Sequence, residues 1–194
     1  MHHWVHRLDL IGAILSFLAT VLTMRASLWL WPLSLVAISV NIVLYTTTQL
    51  YADAGKELIY ALSCVYGWVW WLRGGSHRGP LSIQGLSWRH GLTLSGVAVA
   101  CTAIITYCLL TFTRSATPLW DATTTVLSLT GQWLTCRKVL ACWFVWCVVD
   151  ALYAGLYFHK GMTAHGVLLC VYTGMAGVGY RMWLAQSRGT KKSL

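Results

Sequence analysis

The residues best suited to chemistry sit in one stretch, VLACWFVWCVVDALYAGLYF, residues 139–158. Within it Trp143, Trp146, Asp150, Tyr153 and Tyr157 are spaced 3, 4, 3 and 4 apart. That spacing puts all five on one face of a helix. At roughly 1.5 Å per residue, Asp150 lies about 16 Å into a span of this length, close to the middle of a bilayer. A carboxylate there is costly unless it faces a cavity or a partner, which makes it a functional candidate by default. The plainer alternative is a structural hydrogen bond to a neighbouring helix. An aromatic face beside a carboxylate suits a flat, cationic ring, held by stacking and cation–π attraction. Two further polar side chains fall inside apolar stretches, Asn41 and Gln132. Either can hydrogen-bond a substrate or join helices to one another.

The other polar and aromatic residues carry weaker signals. Asp9 and Asp121 open apolar stretches, where a carboxylate complements the helix dipole. Thr117-Pro118 ahead of Asp121 is a helix-start signal. Asp53, Lys56 and Glu57 cluster at the start of another stretch, to pair locally or to line an outer mouth. Trp29, Trp31, Trp70, Trp71, Trp120 and Trp183 all lie near the ends of apolar stretches and read as interfacial anchors. The seven cysteines show no CxxC and no metal-type spacing with histidine, so they read as small core residues. His159 and His165 read as loop residues, not as metal ligands.

The elements that must position these residues are membrane helices. The chain is 57% hydrophobic and 10% charged, with a mean hydropathy of +0.62. That is too little polar surface to cover a soluble domain. Seven stretches approach spanning length: about 8–24, 28–45, 51–72, 91–112, 119–135, 139–158 and 162–184. The first has no convincing cleavage site after it and reads as a helix, not as a signal peptide. The net charge of +9 does not mark a nucleic-acid binder, because the basic residues sit at the ends of apolar stretches and form no patch.

The chain also repeats itself. Moving residues 9–72 by 112 places lays them without a gap on 121–184, with 16 identities in 64. Trp31 falls on Trp143, Gly67 on Gly179, and Trp71-Leu72 on Trp183-Leu184. The expected division is a first three-helix repeat (1–72), a loop with a linker helix (73–118), a second repeat (119–184) and a basic tail (185–194). Basic residues orient it. One side holds Arg25, Arg73, Arg78, Arg89, Arg137, Lys138, Arg181, Arg188, Lys191 and Lys192, and the other Arg7, Lys56, Arg114 and Lys160. Ten against four places the N-terminus outside and the C-terminus in the cytoplasm. Two units that point the same way need an odd number of helices between their starts. The expected fold is therefore all-α, with seven transmembrane helices in a 3+1+3 parallel repeat, as in sugar-transporting SWEET proteins.

Three strings carry a family resemblance: YGWVWWLRGG (66–75), LSLTGQWLTCRKVLACWFVW (127–146) with Asp150, and LYFHKGMTAHGVLLCVYTGMAGVGYRMW (156–183). With the stretch around Asn41 they resemble the PnuC family of bacterial vitamin transporters over nearly the whole chain. The resemblance implies a SWEET-like fold with one central site in the bacterial inner membrane. It also implies facilitated diffusion of an unphosphorylated vitamin, which a cytoplasmic kinase then traps without needing to touch the transporter. Family members are selective for nicotinamide riboside, thiamine, riboflavin or deoxynucleosides. The family's WxxW tryptophans fall on Trp143 and Trp146, its following polar residue on Asp150 and its helix-5 glutamine on Gln132. Nicotinamide riboside members usually carry Glu-Asn where this chain has Ala141-Cys142, which keeps thiamine a rival substrate. The expected site is therefore Trp143, Trp146, Asp150, Gln132, Tyr153 and Asn41, with no cofactor and no metal.

Other classes fit less well. The sequence has no HExxH, no GxSxG and no Cys/His pair at useful spacing, so no enzyme site is visible. GTKKS near the C-terminus lacks the leading glycine of a P-loop. The last apolar stretch has no lysine for a retinal Schiff base. A proton-coupled transporter working through Asp150 stays open, as does assembly into a homo-oligomer.

Overall fold

The computed structural model describes residues 2–49, 51–74, 81–113, 117–159 and 163–192, save some side chains near helix ends. Among them run seven helices: α1 His2–Met24, α2 Leu30–Thr47, α3 Tyr51–Arg73, α4 Trp88–Phe112, α5 Pro118–Cys136, α6 Cys142–His159 and α7 Thr163–Lys192. Each expected span has its helix. α1 starts earlier than expected, and α7 runs through most of the stretch expected to be a separate tail. Arg78, Arg114 and Lys160 lie outside the described residues, as do the side chains of Asp9, Asp53, His165, Lys191 and Lys192.

The chain divides into two compact units, Met1–Ser82 with Arg188–Leu194, and Ile83–Ser187. In the first, α2 packs against both α1 and α3. In the second, α5 packs against both α4 and α6. So α4, read from the sequence as a linker helix, falls inside the second unit.

Among the described residues, four helical segments are long and apolar enough to cross a membrane by length and composition alone: α2, α4, α6 and Gly166–Gly189 of α7. α1 holds a shorter apolar stretch, Leu10–Met24. α5 is diluted by hydroxyls, and these are satisfied internally. Thr124, Ser128, Thr130 and Thr135 each donate to the carbonyl four residues back, at 2.9, 2.7, 2.8 and 2.8 Å. That bonding lets a polar sequence lie in hydrocarbon at little cost. Leu62, Val99, Phe112 and Phe144 are each more than 70% exposed. Apolar surface on this scale belongs against lipid. α5 starts with Pro118 at its first position, as the sequence suggests. Asp121 accepts the Thr117 hydroxyl at 3.3 Å and complements the helix dipole from the first turn.

The 112-residue offset reappears in the packing. α1 and α5 end in the same turn, in which the αL residues Ala26 (φ 50°) and Lys138 (φ 55°) are equivalent. Ala26 N–H donates to Thr23 O at 2.9 Å and Ser27 N–H to Leu22 O at 3.1 Å; Lys138 N–H donates to Thr135 O at 3.0 Å and Val139 N–H to Leu134 O at 2.9 Å. This is a Schellman ending, here with a side chain where glycine is usual. In the second unit alone, Gln84 brackets the turn. Its N–H donates to Lys138 O at 3.0 Å and its carbonyl accepts Leu140 N–H at 2.9 Å.

Trp31 and Trp143 follow these turns, both buried. Trp31 meets Trp71 edge-on at 5.3 Å and 89°, and Trp143 meets Trp183 at 5.5 Å and 87°. A glycine admits each ring, because a Cβ on Gly67 would come within 2.2 Å of Trp31, and one on Gly179 within 2.5 Å of Trp143. Both indole N–H groups lack a hydrogen-bond partner among the described residues. Trp31, Trp71 and Trp183 are thus core residues and not the interfacial anchors expected of them. Trp29, by contrast, is 74% exposed. Of the cysteines expected in the core, Cys64, Cys136 and Cys142 are buried, whereas Cys108 and Cys170 are exposed; all seven are free.

Candidate functional site

α6 starts at Cys142, three residues later than the sequence suggested. Asp150 is then about 12 Å from the helix start in a helix of about 27 Å, still mid-helix. The expected stripe divides in two. Trp143 is 3% exposed and wedged between Gly179 and Trp183 of α7. Trp146, Asp150, Tyr153 and Tyr157 are only half-buried. Tyr153 and Tyr157 stack on one another at 6.4 Å and 27°. Asp150 makes no hydrogen bond or ion pair among the described residues, and Tyr172 of α7 lies within its electrostatic reach.

Trp146 is fixed from α5. Its Nε1–H donates to the Thr135 hydroxyl at 3.1 Å. Its ring rests on Gly131, whose absent Cβ would lie 3.1–3.4 Å from Cε2, Cδ2 and Cζ2. Neither Gly131 nor Thr135 stood out in the sequence. Their signal was there in the spacing of Thr124, Ser128, Gly131 and Thr135, a small-residue stripe at helical period that marks a close helix contact. Gln132, next to Gly131, is half-buried.

Asn41 belongs to the first unit, on α2. Its Nδ2 donates to Oε1 of Glu57 on α3 at 3.3 Å, and its Oδ1 lies 2.6 Å from where a Cβ on Gly12 would be. Glu57, which the sequence left either to pair locally or to line an outer mouth, is itself buried. An open apolar groove of about 600 Å³ runs between α4 and α5, lined by residues such as Val99, Thr106, Tyr107 and Leu127. It contains none of the expected site residues. No group of three or more His, Cys, Asp or Glu among the described residues is placed to hold a metal.

Residues 6–185 match the model of the nicotinamide mononucleotide transporter family. The chain belongs to that family. It is similar to the riboflavin/roseoflavin transporter RibM of Streptomyces davaonensis, 28% identical over 185 residues, covering 93% of this chain and 85% of the relative. It is also similar to the nicotinamide riboside transporter PnuC of Escherichia coli, 22% identical over 211 residues, covering 95% and 88%. Among solved structures, the crystal structure of the vitamin B3 transporter PnuC matches with a TM-score of 0.74 at 21% identity, over 96% of this chain and 83% of that one. That likeness shows a shared fold. The chain is a multi-pass membrane transporter and not an enzyme.

Proposed function

We propose that this transporter carries an unphosphorylated B-type vitamin into bacteria by facilitated diffusion across the inner membrane, and that a cytoplasmic kinase then traps it. The observation that carries this reading is the face of α6. A carboxylate without an ion-pair partner among the described residues stands one turn from a fixed, half-exposed indole. Such a face suits a flat ring bearing positive charge, which the indole stacks and the carboxylate neutralises. Nicotinamide riboside and thiamine both have such rings, and nicotinamide riboside is the first choice by family resemblance. Trp146 would stack the ring, with Asp150, Gln132 and Tyr153 offering polar contacts. Trp143 would act from behind, holding α6 against α7. Asn41, in the first unit, pairs with Glu57 instead.

Riboflavin is the second reading, supported by the 28% identity with RibM. Its ring is neutral, so Asp150 would accept hydrogen bonds from the ribityl hydroxyls. Comparing Asp150→Asn with the parent separates the two. For a cationic vitamin the substitution removes a counter-charge, and affinity should fall about tenfold or more. For riboflavin an amide oxygen can still accept, and the loss should stay within about threefold. Full affinity for a bound cationic vitamin in a folded Asp150→Asn protein would remove Asp150 from the site.

A further inference from the structure

The two copies of the repeat differ at the place where α5 meets α6. Thr135 and its equivalent Thr23 make the same bond, each donating to the carbonyl four residues back at 2.8 Å, to Gly131 O and Ala19 O. That bond belongs to the fold. In the first copy the residue in the place of Trp146 is Ser34, and the residue in the place of Gly131 is Ala19. The second copy therefore pairs a large ring on α6 with a lost Cβ on α5, and its threonine accepts an extra bond from the ring nitrogen at 3.1 Å. An indole donor has no counterpart in the first copy, where the residue is Ser34.

The geometry of the contact defines what it does. Three adjacent ring atoms of Trp146 lie at nearly equal distances, 3.1–3.4 Å, from the Cβ that Gly131 lacks. α5 therefore approaches the indole roughly face-on. The Thr135 hydroxyl holds the ring edge and stops it from turning about its own axis. Thr135 is 5% exposed, so water does not compete for that bond. Trp146 itself is half-buried, and no second ring or cation among the described residues stacks on it. A ring held on one face and at one edge loses little freedom when a ligand covers the other face, which is where pre-organisation gains affinity.

We propose that Gly131 and Thr135 are positioning residues, which hold the Trp146 indole as a fixed platform for the flat ring of the transported vitamin. This rests on the reading that Trp146 stacks that ring. The two ideas fail separately in one experiment on the detergent-purified full chain, with nicotinamide riboside, thiamine and riboflavin each titrated by calorimetry.

In the parent protein Thr135→Val should weaken binding of the accepted vitamin about tenfold, the worth of one buried hydrogen bond, while Thr135→Ser should stay within about threefold. In a Trp146→Phe background, where the ring has no N–H to tether, Thr135→Val should cost nothing further. Gly131→Ala gives a second route. Its Cβ shifts the indole by a few tenths of an ångström, and affinity should drop severalfold without loss of the folded protein. An equal loss from Thr135→Val in both backgrounds would overturn the positioning role and leave the stacking reading intact. Unchanged affinity in Trp146→Ala, or no binding of any of the three vitamins by folded parent protein, would overturn the stacking reading and the platform with it.

Discussion

Trp143 and Trp146 look alike in the sequence, two tryptophans three residues apart on one helical face. The structure separates them by their neighbours. Trp143 has a glycine and a second tryptophan across from it on α7, while Trp146 has a glycine and a hydroxyl across from it on α5. Truncating Trp146 to Ala should abolish saturable vitamin binding while thermal unfolding stays cooperative. Truncating Trp143 to Ala should cost about 3–5 kcal/mol of stability as a core deletion, seen as a large drop in melting temperature. The helical period showed that the five residues share a face. It could not show which of them a partner helix buries, because the residues that bury Trp143 lie more than 30 positions away. The repeat did hold that information, since Trp31–Gly67–Trp71 and Trp143–Gly179–Trp183 coincide under one offset.

The elements make the same distinction testable through their glycines. Gly179→Ala would drive a Cβ to 2.5 Å from the Trp143 ring, and Gly67→Ala one to 2.2 Å from Trp31. Each should destabilise by about 1–3 kcal/mol through overpacking. Gly177→Ala, with nothing within 4 Å of the new Cβ, should be neutral or gain up to about 1 kcal/mol from helix propensity. Melting curves of the three variants in one detergent would order them.

The turn between α5 and α6 makes a second prediction, in pH. Burial holds the Lys138 ammonium below its ordinary pKa of 10.5. The unfolded chain therefore binds more protons than the folded one between the lowered value and 10.5, and stability should rise with pH across that window. Lys138→Met should flatten this dependence. A steeper dependence in the variant would contradict the burial argument. Helix positions were legible from apolar length, and most ends agree with the observed ones to within about three residues. The early start of α1 and the late end of α7 were not, because polar and basic residues continue a helix once it has begun.

For the whole molecule, the 112-residue offset was legible because 16 of 64 residues survive it, and the turns at Ala26 and Lys138 share it. The packing of α4 against α5 was not legible, since α4 has no counterpart in the repeat. We propose the orientation that the ten-to-four distribution of basic residues favours, N-terminus outside and C-terminus cytoplasmic. A C-terminal phosphatase fusion should therefore be inactive in whole cells, and activity there would reverse the proposed orientation. If transport is passive, uptake should persist after the proton gradient is collapsed and should depend on the trapping kinase. The most direct test of the account is a binding screen on the detergent-purified chain. Tryptophan fluorescence would be followed against nicotinamide riboside, thiamine, riboflavin and deoxynucleosides, each beside its phosphorylated form. A phosphate brings negative charge towards Asp150, so the account predicts saturable quenching by one free vitamin and none by its phosphate. Folded protein that no vitamin quenches, or that binds the phosphate as well as the free form, would contradict it.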